Sequence, residues 1–187
     1  MSITLFEKSD EEIARLIQEG GNDALEILID RYSPKLLRYG KKFLSNEDAT
    51  KDIVQEVFIK VYQNIKSFDT KRSFSPWIYR IAHNSFANYL RNAGKEPVVA
   101  LDLDVFLEYH VYDDPAIEQK EKEEIGVLLE KGLLNLPLKY KEVLVLHYFE
   151  DLSYQEIADI LHVPIGTVGI RLRRAREALK VHLQNHE

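Results

Sequence analysis

The chain has 187 residues, 45% of them hydrophobic, which is enough for one domain or two small ones. It contains no cysteine, which excludes disulfides, thiolate metal sites and thiol catalysis. No apolar run of secretory type opens it and none approaches the ~18 residues of a membrane span, so the expected place is the cytoplasm, without membrane insertion. The net charge of −6 argues at first against nucleic acid, because DNA-binding domains usually carry a basic footprint. The charge is uneven, however. Residues 1–95 hold fifteen Lys/Arg against thirteen Asp/Glu, residues 96–130 hold two against eleven, and residues 131–187 hold eight against seven.

In chain order, Ser9-x-x-Glu12 is a capping box ahead of Ile13, Leu16 and Ile17, and Gly20-Gly21-Asn22 ends that helix. A second helix is predicted over about Asp23 to Phe43, with Leu25, Leu28, Ile29, Tyr32, Leu36 and Leu37 as its apolar stripe and Pro34 as a point of bending. The third, Asp48 to about Ile65, repeats Ile53, Val54, Val57, Phe58, Val61, Tyr62 and Ile65 at steps of three and four. After a polar loop, Ser75-Pro76 reads as an N-cap followed by a proline at the first helical position, and Trp77, Ile78, Ile81, Ala82, Phe86 and Leu90 continue the pattern.

From about Asn92 to Asp114 the periodicity fades, and Gly94, Pro97 and Pro115 bracket an acidic tether. Asp114-Pro115 then caps a helix ending at Leu136-Pro137, and another follows over about Leu138 to Phe149 with Tyr140, Val143, Leu144 and His147 near one side. The expected fold is therefore all-α: a four-helix domain over 1–93, an acidic linker over 94–117, and a second helical domain over 118–187.

The last segment has the clearest mechanism. Ser153 and Glu156 form a second capping box, Ile157, Ala158 and Leu161 face inward, His162-Val163-Pro164 makes a tight corner, and a longer helix starts near Ile165. This is helix-turn-helix spacing. Val168, Leu172, Ala175 and Leu179 make the buried stripe of the second helix, leaving Thr167, Ile170, Arg173 and Arg174 outward, with Arg171 and Arg176 on the flanks. Four arginines within six residues can neutralise phosphates, and a guanidinium can bind guanine bidentately in the major groove. The plain alternative is a solvated basic face; the preceding turn favours DNA docking.

LSYQEIADIL, VPIGTV and RLRRAREAL, with the preceding LPLKYKEVLVLHYFEDLS, closely resemble the sigma-4 domain of extracytoplasmic-function sigma factors. DIVQEVFIKVYQNIKSF and FSPWIYRIAHNSFANYLRN resemble the sigma-2 domain of the same family, in the expected order, and the two likenesses span about four-fifths of the chain. The resemblance implies an alternative sigma factor that binds core RNA polymerase, at the clamp helices and the flap of its large subunits, and directs it to promoter DNA. It implies no cofactor, a monomer when free of polymerase, and control by an anti-sigma factor.

By resemblance, Asp52, Gln55, Glu56 and Lys60 grip the clamp helices. Lys71, Arg72, Trp77, Tyr79, Arg80, Asn84 and Asn88 belong to the part that captures the opened minus-ten element, with Asn84 where the family reads a flipped base. Helical periodicity alone assigns Trp77 to the core rather than to stacking. Thr167, Ile170, Arg171, Arg173, Arg174 and Arg176 fall on the minus-thirty-five reading helix. The chain departs from the family at Gly169-Ile170, where Lys or Arg followed by Ser is usual. That removes a charge and a hydroxyl and places a glycine inside a helix, at a cost of about 1 kcal/mol relative to alanine.

Other classes fit poorly. There is no phosphate-binding glycine loop, HExxH or GxSxG, and of six histidines only His182 and His186 share a helical face at metal-ligand spacing, a poor two-ligand site. A stand-alone helix-turn-helix regulator would bind a palindrome without polymerase, and a sigma-like adaptor would lean on another DNA-bound partner.

Overall fold

The computed structural model describes residues 7–41, 44, 46–92 and 136–184. All regular structure among them is helical, and the chain divides into two compact units: Met1–Gly40 with Asn46–Glu96, and Lys41–Ser45 with Pro97–Glu187. The expected acidic linker and the helix after Asp114-Pro115 lie outside the described residues.

In the first unit, α1 (Asp10–Gln18) begins at the predicted capping box: the Ser9 hydroxyl accepts from the Glu12 N–H and the Glu12 carboxylate accepts from the Ser9 N–H. A 3-10 turn (Asn22–Ala24) leads into α2 (Leu25–Lys41). Asp10 docks one helix on the other, accepting from the Arg31 guanidinium and, at 2.6 Å, from the Tyr32 hydroxyl. Burial, and then that bond to Asp10, hold the Tyr32 phenol well above its ordinary range. Helix α3 (Glu47–Asn64) starts one residue earlier than predicted, because the Asn46 side chain caps the Ala49 N–H at 3.1 Å. A second 3-10 turn (Ile65–Ser67) and a short loop connect it to α4 (Phe74–Asn92).

The start of α4 corrects the predicted cap. Ser75 and Pro76 sit inside the first turn, and the Phe74 N–H is satisfied by the distant Glu11 carboxylate at 2.9 Å. Pro76 is tolerated there because first-turn amides have no intrahelical acceptor.

The unit's core is aromatic. Tyr32 and Phe74, Tyr39 and Tyr79, and Phe68 and Phe74 meet edge to face with centroids 5.3–5.5 Å apart, the geometry the ring quadrupole favours. Leu28, Leu36, Val57, Val61, Ile78 and Ala82 fill the remainder. Gly40 permits this packing, since a Cβ there would stand 2.3 Å from Phe86 Cζ and 2.7 Å from Thr50 Cγ2.

In the second unit, Pro137 precedes α5 (Leu138–Leu144), which widens into a π-helical turn over Val145–Phe149. The turn is pinned by the Leu152 N–H donating to the Leu146 carbonyl at 3.0 Å and by His147 Nδ1 lying 3.0 Å from the Leu152 carbonyl. Helix α6 (Tyr154–Leu161) starts at the Ser153–Glu156 capping box, and α7 (Ile165–Gln184) follows the corner. His162 closes α6 in the left-handed region at φ 52°. The predicted stripe of Val168, Leu172, Ala175 and Leu179 is buried, and α7 packs on both α5 and α6. On α6 it is Ile160 rather than Leu161 that is fully buried.

Candidate nucleic-acid interface

Two surfaces of the first unit carry the predicted side chains. The outer face of α3 exposes Asp52, Gln55 and Glu56, and also two large apolar groups that sequence reasoning missed, Ile59 and Tyr62, at 56% and 45% exposure. Tyr62 had been assigned to the buried stripe. It instead stands at the surface, its hydroxyl 3.3 Å from the Asn22 side-chain oxygen. Exposed apolar groups among polar ones on one helix face are the composition of a protein-binding patch.

Lys60 does not share that face. Its ammonium lies 2.7 Å from the Glu56 carboxylate and donates to the Ser85 hydroxyl at 2.9 Å, which turns the side chain toward α4. There it enters an open pocket of about 280 Å³ lined by Lys60, Asn64 and Ser67 from the α3 end and Trp77, Ile81, Asn84 and Ser85 from α4. The pocket thus joins the predicted Trp77 and Asn84 to Lys60, expected on the clamp-binding face, to Ile81, expected in the apolar stripe, and to Asn64, Ser67 and Ser85, to which the sequence assigns no role. Trp77 serves two purposes: its ring packs 5.0 Å from Phe68 and 5.5 Å from Phe74 while bordering the pocket.

The pocket's polar chemistry is mixed. The Asn64 amide donates to the Lys60 carbonyl at 2.8 Å, which leaves its side-chain oxygen as an acceptor, and Ser67 donates to the Asn64 carbonyl at 2.7 Å. An aromatic wall with donors and acceptors at one rim suits a planar, hydrogen-bonding ligand such as a nucleobase.

Of the other predicted minus-ten residues, Arg80 and Asn88 are exposed on α4 one turn either side of Asn84. Lys71 and Arg72 are exposed on the connecting loop, where Arg72 lies 3.8 Å from Asp69. Tyr79 requires correction. It is 1% exposed, edge-on to Tyr39 in the core, so its ring has no surface to offer DNA. Its position one turn before His83 and two turns before Phe86, on the side of α4 facing Tyr39, decides this.

On α7, Ile170, Arg173, Arg174 and Arg176 are exposed and Thr167 is half-buried. Arg173 leans toward Glu177 at 3.9 Å, leaving both largely solvated. Arg171 is half-buried on the inner flank, where its charge acts on Glu142 of α5. Burial pushes the Glu142 carboxyl up to about 7, against the opposing pull of Arg171. Burial likewise holds the Lys141 ammonium below its usual range. A Cβ at Gly169 would meet only Tyr154 Cε2, at an ordinary 3.6 Å, so packing does not demand the glycine. No cluster suited to a metal ion exists among the described residues, and the side chains of His182 and His186 lie outside them.

Comparison with known proteins identifies the family. Residues 28–96 match the family profile Sigma-70 region 2, and residues 127–179 match Sigma-70, region 4. The chain is 36% identical to the ECF RNA polymerase sigma factor SigW of Bacillus subtilis, over 90% of this chain and 94% of that one. It is 34% identical to the RNA polymerase sigma-H factor of Pseudomonas aeruginosa, over 96% of each. Among solved structures, CnrH in complex with the cytosolic domain of CnrY superposes with a TM-score of 0.67 at 22% identity, covering 96% of this chain and all of that one. RpoE of Bartonella quintana, in complex with the anti-sigma factor NepR, gives 0.63 at 22% identity, covering 85% and 96%. The chain belongs to the extracytoplasmic-function sigma factors of the sigma-70 family. It is an alternative sigma factor, a transcription initiation factor that directs RNA polymerase to promoters. No helix among the described residues is long and apolar enough to cross a membrane.

Proposed function

We propose that this sigma factor docks on the polymerase clamp helices through the outer face of α3 and captures the opened minus-ten strand in the pocket between α3 and α4. Asp52, Gln55 and Glu56 supply the polar rim of the docking face, with Ile59 and Tyr62 as its apolar anchors. Asn84 reads a base turned out of the stack, and Trp77 forms the wall beside it. Lys71, Arg72, Arg80 and Asn88 carry the backbone leading to the pocket, and α7 contacts the upstream element. The observation that carries this reading is the convergence of Asn84 and Trp77 on one pocket of nucleobase chemistry.

Energetics fit a shared task. Opening about ten base pairs forfeits on the order of 10 kcal/mol of stacking, at roughly 1.4 kcal/mol per step, whereas turning out one base costs a few. A single pocket matches the second cost, and polymerase supplies the remainder. The two domains, 1–93 and 118–187, are joined by the acidic segment 94–117, whose charge has the sign of the polyanion and so adds nothing to DNA attraction. The chain works in the cytoplasm as a monomer until it meets polymerase or an anti-sigma factor.

Reconstitution with core polymerase and mapping of start sites tests the whole reading. Defined starts are expected only with this chain present. Asn84→Ala should weaken opening without loss of polymerase binding, and Ile59→Asp should abolish binding itself. Failure of the wild-type chain to assemble with core polymerase overturns the proposal.

A further inference from the structure

We infer that helix α1 sets the shape of the strand-capturing loop, and that Gln18 is its principal positioning residue. Glu11, Arg15 and Gln18 follow one another at steps of four and three along one face of α1, and all three reach the segment between α3 and α4. The Glu11 carboxylate accepts the Phe74 N–H at 2.9 Å and so begins α4, where a negative group also complements the helix dipole. Arg15 Nη2 lies 3.4 Å from the Thr70 hydroxyl. Gln18 spends both amide hydrogens on the same turn, donating to the Ile65 carbonyl at 2.7 Å and the Phe68 carbonyl at 2.8 Å.

Those two carbonyls bracket Ser67, which lines the pocket, and Phe68 supports Trp77, which forms its wall. The end of a helix leaves carbonyls short of intrahelical donors; here the Ile65 carbonyl accepts the Phe68 N–H as well as Gln18, and the donor to the Phe68 carbonyl comes from a helix 50 residues earlier. The opposite face of α1, with Ile13, Ala14 and Ile17, is buried in the unit's core. The loop is therefore tied to a rigid element at its first residues, its middle and its last. The region 2 match begins at residue 28, beyond α1, and assigns this helix nothing. Gln18 touches no DNA in this scheme; it acts through Ser67, Phe68 and Trp77.

The inference rests on the strand-capture reading, and one experiment separates the two. Full-length chain is assembled with core polymerase, and the probe is fluorescein-labelled single-stranded non-template DNA from the strongest promoter found by start-site mapping. Gln18→Leu should weaken probe binding about ten-fold, as expected when the part-buried Phe68 carbonyl loses the Gln18 donor and the Ile65 carbonyl keeps only the Phe68 N–H, while assembly with polymerase is retained. In the chain free of polymerase, acrylamide quenching of Trp77, its only tryptophan, should increase, and Gln18→Lys, which restores a donor, should reverse most of both effects.

Probe binding and Trp77 quenching unchanged in Gln18→Leu overturn the inference. Parallel loss of probe and polymerase binding, with no recovery in Gln18→Lys, overturns it as well, since Gln18 would then be a general contact of the fold. Asn84→Ala is the companion variant. If it binds the probe like wild type, the capture reading and the inference fall together; if it weakens binding while Gln18→Leu does not, only the role of α1 falls.

Discussion

Single residues in this chain are constrained most where backbone or Cβ has nowhere to go. Gly40 is one such place: with Phe86 Cζ 2.3 Å and Thr50 Cγ2 2.7 Å from the position of a Cβ, Gly40→Ala must displace a ring or a helix. Overpacking of this kind costs about 1–3 kcal/mol. A matching fall in the urea midpoint, followed by Trp77 fluorescence, is the expected result, and Phe86→Leu in the same chain should return part of it. His162 is the reverse case, a non-glycine at φ 52°. Left-handed backbone costs an L-residue about 1–2 kcal/mol, and glycine's greater loss of freedom returns roughly half. His162→Gly should therefore stabilise the second unit by about 0.5–1 kcal/mol, seen as slower amide exchange in α6 and α7. The sequence identifies His162 as part of the tight corner between the last two helices. It did not reveal Gly40, because that constraint comes from Phe86 and Thr50, ten and more residues away.

At the level of elements, the features written in local chemistry were legible and those made by long-range packing were not. Both capping boxes and the α7 stripe appear where neighbouring residue types demanded them. Ser75-Pro76 misled because the acceptor at the start of α4 is Glu11, 63 residues earlier. Tyr62 and Tyr79 exchanged roles for a related reason: periodicity identifies an apolar face, yet which aromatic at its edge is covered depends on the helix packed opposite. The pocket was partly visible, through Trp77 and Asn84, while Asn64, Ser67 and Ser85 join its lining only because the 65–73 turn folds α3 back on α4.

The α5–α7 contact carries a pH dependence of its own. Glu142 is raised from 4.5 to about 7 in the folded chain, so between those values the folded state holds a proton that the unfolded state has released. Its contribution is complete below pH 4.5 and is lost as pH rises toward 7. The shift corresponds to up to about 3 kcal/mol, reduced by solvent screening at a part-exposed group. Amide exchange in α7, corrected for intrinsic rate, should show weaker protection at pH 8 than at pH 5.5, and Glu142→Gln should flatten the difference. An unchanged slope in that variant would assign the dependence to another group.

For the whole molecule, the question is which unit chooses the promoter. Net charge is −6, with the excess acid in residues 96–130, so nonspecific attraction to DNA is weak and specificity must come from a few contacts. The first unit offers a formed pocket. The second offers exposed Arg173, Arg174 and Arg176, but Arg171 is held on the inner flank beside Glu142 and Ile170 brings no donor. A bidentate arginine–guanine contact discriminates by about 1–3 kcal/mol, and at Gly169 the chain lacks even a phosphate-reaching side chain. Promoter choice should therefore depend more on the captured base than on the upstream element. In open-complex assays with reconstituted polymerase, scrambling the upstream element should cost less than substituting the captured base. Gly169→Lys, for which there is room beside Tyr154, should reverse that order by tightening upstream binding and steepening its salt dependence by about one counterion. If scrambling the upstream element abolishes opening while the captured base can be changed freely, specificity belongs to α7 after all, and the glycine marks a changed target sequence rather than a lost contact.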